Sequence, residues 1–293
     1  MHRIDTSTAQ VDKFGAGKNG FTGGNPQTGE LPTALDADFF DSVQEEIATL
    51  IESSGIVLDK AKNNQLLTSL KKLFGSGRLN GAPVVLNASG TYNSRAGTNA
   101  VLVYAMGGGA AGGGTTAVSQ GSASAGGGGG GGGLAVGYFT SGFNGINVTI
   151  GSGGVGNIGA AGGSGGATSF GSLLSAGGAS PGALGGAQSS AYFYSNGQGG
   201  SVFSGSPLYS KKGNPGGVGQ TFNATTALGG SGAISEYGQG GNNAGATVGG
   251  SYFYGASGIG YGAGGAGGVA CGGSPATKGG DGSAGIIIVW EYT

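Results

Sequence analysis

The chain has 293 residues, of which 76 are Gly and only 9% are charged, and its net charge is −1. With no basic stripe to set against phosphates it is not a nucleic-acid binder, and with Cys271 as its sole cysteine it has no internal disulfide framework. No apolar run approaches the ~20 residues of a membrane span, which excludes insertion by a transmembrane helix.

The polar opening MHRIDTSTAQVDKFGAGKNG lacks the apolar stretch of a signal peptide, so the sequence predicts synthesis in a reducing cytoplasm. Composition then divides the chain. Of the 76 glycines, 67 lie from Leu79 onward. Charges divide the opposite way, with only Arg95, Lys211, Lys212, Glu236, Lys278, Asp281 and Glu291 after that point. The shift predicts two domains, 1–78 and 79–293, meeting near Gly75, Ser76 and Gly77.

The first 35 residues are punctuated by Gly15, Gly17, Gly20, Gly23, Gly24, Pro26, Gly29 and Pro32, as in an extended, turn-rich segment that wraps a neighbour. The GAGKN within it is no phosphate loop, because Lys18 is followed by Asn19. A helix is predicted next: Asp36 and Asp38 suit its start, Phe39, Phe40, Val43, Ile47, Leu50 and Ile51 form one face, and Gly55 suits its end. A second helix is predicted from Asp59 or Asn63, with Leu66, Leu67, Leu70, Leu73 and Phe74 on one face, Lys71 and Lys72 in the last turn, and Gly75 as its stop. Together they form an αα-hairpin too small to bury both faces. Phe39, Phe40, Val43, Ile47, Leu66, Leu70 and Leu73 are therefore candidate assembly residues, the alternative being a cap on the chain's own arm.

The stretch MHRIDTSTAQVDKFGAGKNGFTGGNPQTGELPTALDADFF, continuing into NNQLLTSLKKLF, resembles the start of tail-fibre proteins of bacteriophages and prophages. The resemblance covers roughly the first 75 residues. It implies a virion-attachment module at the tail tip or baseplate, a homotrimer, and a place in the virion tail after assembly in the bacterial host cytoplasm.

In the arm, residues 100–105 and 286–292 are rich in β-branched and aromatic residues and are predicted to pair as strands. Residues 146–150 alternate as a third strand, and 167–178 read as a hairpin turning at Gly171 and Ser172. The remainder is not ordinary helix or sheet, since each interior Gly costs about 0.5–1 kcal/mol relative to Ala. Glycine instead permits close approach of three-residue-per-turn segments, with interchain amide and Cα–H···O bonds replacing an apolar core. Residues 106–114, 161–167 and 261–273 suit that packing, and their irregular period excludes collagen. The predicted fold is an N-terminal extended segment plus αα-hairpin, then a glycine-rich, mainly-β and polyglycine-II-like arm, trimeric overall.

INVTIGSGGVG, GGATSFGSLLSAGG, and GYGAGGAGG followed by GGDGSAGIIIVWEY resemble glycine-rich regions at the ends of phage tail fibres. The alternation of glycine blocks with aromatic segments is similar to the receptor-binding adhesins of T-even-like phages. This resemblance implies that the arm recognises a host surface polysaccharide or outer-membrane protein through its connecting loops.

The aromatic segments supply the candidates: Tyr138, Phe139, Tyr192, Phe193, Tyr194, Tyr209, Lys211, Lys212, Tyr252, Phe253 and Tyr254. Exposed on loops, such rings suit a sugar or protein surface; turned inward, they supply a scarce apolar core. Catalysis is not predicted. His2 is the sole histidine, and the arm's carboxylates are Glu236, Asp281 and Glu291. A glycosidase needs two carboxylates flanking one bond, so only a pairing of Asp281 with Glu236 would favour the alternative of a polysaccharide-degrading tailspike. Cys271 reads as a small buried side chain, and no cofactor or metal is predicted. A glycine-rich matrix or ice-binding protein is the third reading; it requires regular tripeptide repeats and leaves the hairpin without a role.

Overall fold

The computed structural model describes residues 2–74, 77–201 and 203–293. Gly75 and Ser76, where the sequence places a helix stop and a domain boundary, lie outside the described residues. The chain divides into two compact units, Met1–Arg78 and Leu79–Thr293. Among the described residues no helix is long and apolar enough to cross a membrane.

In the first unit, helix α1 spans Ala37–Ser53. Asp36 caps it in extended backbone, accepting from the Asp38 N–H at 3.1 Å, and Gly55 follows the last turn with φ of 73°. Helix α2 spans Gln65–Phe74, later than either predicted start. The reason is local: the Asp59 carboxylate accepts from the Ala61 N–H, and the Gln65 side chain bonds the Asp59 backbone through both N–H and C=O. These bonds compete with helix and hold 59–64 as a turn. The two helices meet through small groups, with the Ser54 and Ser69 hydroxyls 2.9 Å apart and buried beside Ile51.

The second unit has two β-structured ends joined by glycine segments. At the first end, the strands Ala100–Met106 and Ile286–Tyr292 pair antiparallel over all seven residues. They form the middle of a five-stranded sheet with Val84–Leu86, Leu134–Phe139 and Tyr209–Lys211. A second five-stranded sheet contains Gly90–Tyr92, Ile146–Thr149, the hairpin Thr168–Phe170/Leu174–Ala176, and Phe203–Gly205. Gly171 makes the hairpin turn at φ of 50°. The sheets close on a core of Val101, Val103, Phe139, Phe170, Leu174, Ile287 and Val289. Leu79 bridges Tyr292, so the chain enters the unit at this end.

Between the ends the backbone bonds with a period of three. In 107–115, Gly107, Ala110 and Gly113 donate to Gly133, Gly130 and Gly127; Gly108, Ala111 and Gly114 donate to Gly166, Gly163 and Ala160; Gly109, Gly112 and Thr115 donate to Ser283, Gly280 and Thr277. Its carbonyls accept from Ala179, Gly182 and Gly185, from Gly265 and Gly268, and from Gly154. The all-glycine run 126–133 does the same, donating to 262–268, 177–183 and 214–217 and accepting from 107–113, 197–200 and 230–233. Each run thus lies among neighbours on every side, and every N–H along both runs finds a carbonyl without water. The neighbours belong to the same chain, which corrects the expectation of interchain bonds. A period of three sends successive peptide groups in three directions, so one long, folded-back chain can surround its own centre.

Close approach explains the glycines. At positions 126–130 and 132 an added Cβ would fall 1.9–2.2 Å from a neighbouring carbonyl oxygen, closer than real atoms come.

One polar cluster is buried at the entry end. The Glu291 side chain is fully buried; Tyr92 Oη donates to it at 2.5 Å, and Arg95 Nη1 at 2.9 Å. Burial, and then the bond to Glu291 and its charge, push the Tyr92 phenol well above its ordinary value. The folded state therefore holds a proton that the unfolded chain releases above about pH 10. Stability is full below that pH and falls as pH climbs towards the raised value. Tyr92→Phe should cost about 1–2 kcal/mol by leaving a carboxylate oxygen short of a donor. It should also shallow the alkaline loss, to which Tyr194 and Tyr237, raised by burial as well, still contribute. Urea unfolding at a series of pH values from about 8 to 11 measures both effects.

Candidate functional site

The bundle runs lead away from the entry end to a second β-structured end. There Tyr192–Tyr194 pairs with Gly219–Asn223, which continues to Thr226–Leu228 and Gly245–Ala246. A three-stranded sheet of Tyr252–Phe253, Val269–Cys271 and Ala123–Ala125 packs beside it. Their shared core is Ala123, Ala125, Tyr194, Ala227, Ala246, Val269 and Cys271. Small side chains let the two sheets approach, and Cys271 sits there fully buried, its thiol pushed up by burial.

The two Tyr-Phe-Tyr triplets, sixty residues apart, thus reach the same end. They form short strands at sheet edges, where the sequence suggested loops. Tyr192 and Phe193 are 49% and 62% exposed, and Tyr252, Phe253 and Tyr254 are 45%, 49% and 57% exposed. Tyr194 is buried, its hydroxyl donating to the Gly186 carbonyl and its ring 4.8 Å from that of Tyr192. It supports the exposed ring and is not itself on display.

Tyr138, Phe139, Tyr209, Lys211 and Lys212 lie instead at the entry end. Phe139 is buried in the sandwich core, because alternation along Leu134–Phe139 turns it inward and leaves Tyr138 outward. Both Phe139 and Tyr194 are therefore corrections to the displayed set. Tyr209 and Lys212 are exposed. Lys211 Nζ contacts Glu236 at 3.1 Å, and that hydrogen bond and charge raise its pKa. Asp281 pairs with Lys278 at 3.0 Å and accepts from the Gly156 N–H at 2.7 Å. Burial opposes its ionisation, but those bonds prevail and lower its pKa. Asp281 and Glu236 thus each engage a different lysine.

The outward face of the entry-end sheet went unread in the sequence. Leu102, Tyr104, Tyr237, Ile288, Trp290 and Tyr292, with Leu79, line a groove of about 520 Å³ there. The signal was present in the strand: 286, 288, 290 and 292 share one face, and none of them is polar enough for a solvated sheet.

In the first unit, Phe40, Ile47, Leu66, Leu70 and Leu73 are 37–47% exposed, and Phe39 and Val43 half-buried. The donor atoms of His2, Asp5 and Asp36 lie within 4.8 Å of one another. Asp36 is already committed to capping α1, and its 3.8 Å contact with His2 is an ordinary surface pair.

A family model described as a glycine-rich domain matches residues 86–292, well over half of the chain. The chain belongs to the glycine-rich domain family. The matched span takes in most of the second unit, including the runs and nearly all the strands of both β-structured ends. A separate comparison finds 63% identity over 73 residues with the "Uncharacterized protein StfP" of Escherichia coli strain K12. That match covers 25% of this chain and 35% of the relative, so the chain spans about a third of the relative's length.

Proposed function

We propose that the protein is a structural tail-fibre component of a phage or phage-derived particle, attached through residues 1–78 and binding the host surface through the glycine-rich domain. The observation that carries this reading is the separation of two ends. The chain enters the domain at Leu79, and the exposed aromatic triplets lie at the far end of the bundle. The runs between them read as polyglycine-II helices, for which the three-residue bonding period is the support; at about 3.1 Å per residue the run 126–133 spans about 25 Å. Such a bundle is a spacer whose N–H groups are taken up by its own backbone and whose glycines offer no side chains for discrimination. Recognition then falls to the rings, each a large apolar face and, for Tyr, a hydrogen-bonding tip. Binding rather than catalysis is favoured because the arm's carboxylates are each occupied by a cation.

The purified chain should block adsorption of intact particles to susceptible cells in a saturable way. Undiminished adsorption at saturating chain would contradict the reading.

The attachment module is proposed to assemble as a homotrimer through the hairpin. The support is the row of Leu66, Leu70 and Leu73, which the described residues of its own unit leave 37–39% exposed. Leu70→Asp separates the cases: on a lone chain a charge at a half-exposed site costs little, whereas in a closed interface it costs several kcal/mol. Light scattering should give three chains for the parent and fewer for the variant, with the domain's thermal transition unchanged. A parent that stays monomeric at micromolar concentration would contradict the trimer.

A further inference from the structure

The far end of the glycine-rich domain combines exposed rings with an absence of charge. Tyr192, Phe193, Phe222, Phe253 and Tyr254 are 46–62% exposed. The segments that carry them, SSAYFYSN, TFNATT and SYFYGAS, contain Ser, Thr and Asn but no Asp, Glu, Lys or Arg. Where the bundle meets this end, the Lys278 carbonyl accepts from the Gly255 N–H just after Tyr254, and the Lys278 ammonium is held by Asp281 at 3.0 Å. Arg95, Glu291, Lys211, Glu236 and Lys212 all belong to the entry end, four of them in the ion pairs Arg95–Glu291 and Lys211–Glu236.

This distribution selects among ligands. Among the described residues, an acidic glycan or a phosphorylated headgroup would meet only Lys278 beside this end, a cation already paired with Asp281. An ordinary protein surface is about one-quarter charged; docking it would strip water from charged groups without supplying counter-charges. Protein-binding patches also lean on Arg, which this end lacks. An uncharged saccharide has neither cost. Its C–H faces can lie on Tyr and Phe rings, and its hydroxyls can bond Tyr, Ser, Thr and Asn side chains.

We propose that the far end binds an uncharged saccharide, by ring stacking and neutral hydrogen bonds. This rests on the reading of that end as the recognition surface. It predicts binding indifferent to ionic strength, because no charge steers or holds the ligand.

The test passes the full-length chain over immobilised dextran, mannan and galactan, over acidic polygalacturonate and heparin, and over a solubilised outer-membrane protein fraction. Retention is expected on at least one uncharged polysaccharide and on none of the others. The affinity should change by less than about twofold as the Debye length falls from about 20 Å to about 4 Å with added NaCl. Retention only on acidic or protein targets, retention on nothing, or a loss of more than about tenfold in salt overturns the ligand class. A variant carrying Tyr192→Ala and Tyr254→Ala should lose that retention while keeping the parent's melting temperature. Unchanged retention in this variant overturns the placement of the site, and with it the recognition reading.

Discussion

Gly128→Ala is expected to abolish folding of the glycine-rich domain. The Gly128 N–H donates to Gly217 and its carbonyl accepts from Gly197. An added Cβ would sit 1.9 Å from the Ser231 oxygen and 2.6 Å from its carbon. The residue cannot retreat, because moving off one neighbour breaks bonds to another. In an apolar core the surrounding side chains could change rotamer; here every neighbour is backbone already committed to its own bonds. The expected loss exceeds about 4 kcal/mol, beyond the usual range for single substitutions. Gly265→Val should behave the same way, its Cβ falling 2.1 Å from the Gly280 oxygen. Gly90→Ala is the control, since no atom lies within 4 Å of its Cβ. Thermal unfolding and limited proteolysis of the three variants check the series. A Gly128→Ala protein that melts with the parent would mean the runs do not pack as described.

The elements that the sequence made legible are those whose side chains carry a periodic signal. Residues 286–292 and 100–105 are rich in β-branched and aromatic side chains, and they pair as read, the second strand continuing to Met106. The cap at Asp36 and the turn at Gly171 follow from local chemistry alone. Gly90–Tyr92 and Ala123–Ala125 were illegible because their residues are small or polar, and their strand character comes from neighbours distant in sequence. The bundle was half legible. Glycine richness announces close backbone packing and an irregular period rules out collagen, but a glycine carries no mark of which carbonyl its N–H will meet. Closure within one chain therefore could not be read.

The candidate site shows the same division. Tyr138 and Phe139 are adjacent in one strand, so one had to face inward, yet only the tertiary pairing decides which. Tyr194 is buried because its strand lies over the small-residue core of Ala123, Ala125 and Ala227. Glu291 offered a clue of its own. A carboxylate after Val289, on the inward face of an apolar strand, requires a cation that reaches in to it, and the half-exposed Arg95 supplies it from nearly two hundred residues away.

In the proposed function, the bundle holds a recognition surface at its far end, away from the chain's point of entry. The direct measurement is the affinity of full-length chains for susceptible cells, compared among three double variants. Tyr192→Ala with Phe193→Ala, and Phe253→Ala with Tyr254→Ala, remove exposed rings at the far end. Tyr209→Ala with Lys212→Ala removes exposed groups at the entry end. None of these six side chains is buried, so each variant should keep the parent's melting temperature. Binding energy concentrates in a few aromatic anchors. At least one far-end pair should therefore weaken binding by more than about 30-fold, equivalent to about 2 kcal/mol, with the entry-end pair within about twofold of the parent. Parent-like affinity in both far-end variants, with loss in the entry-end variant, would contradict the claim and reduce the bundle's far end to a structural cap.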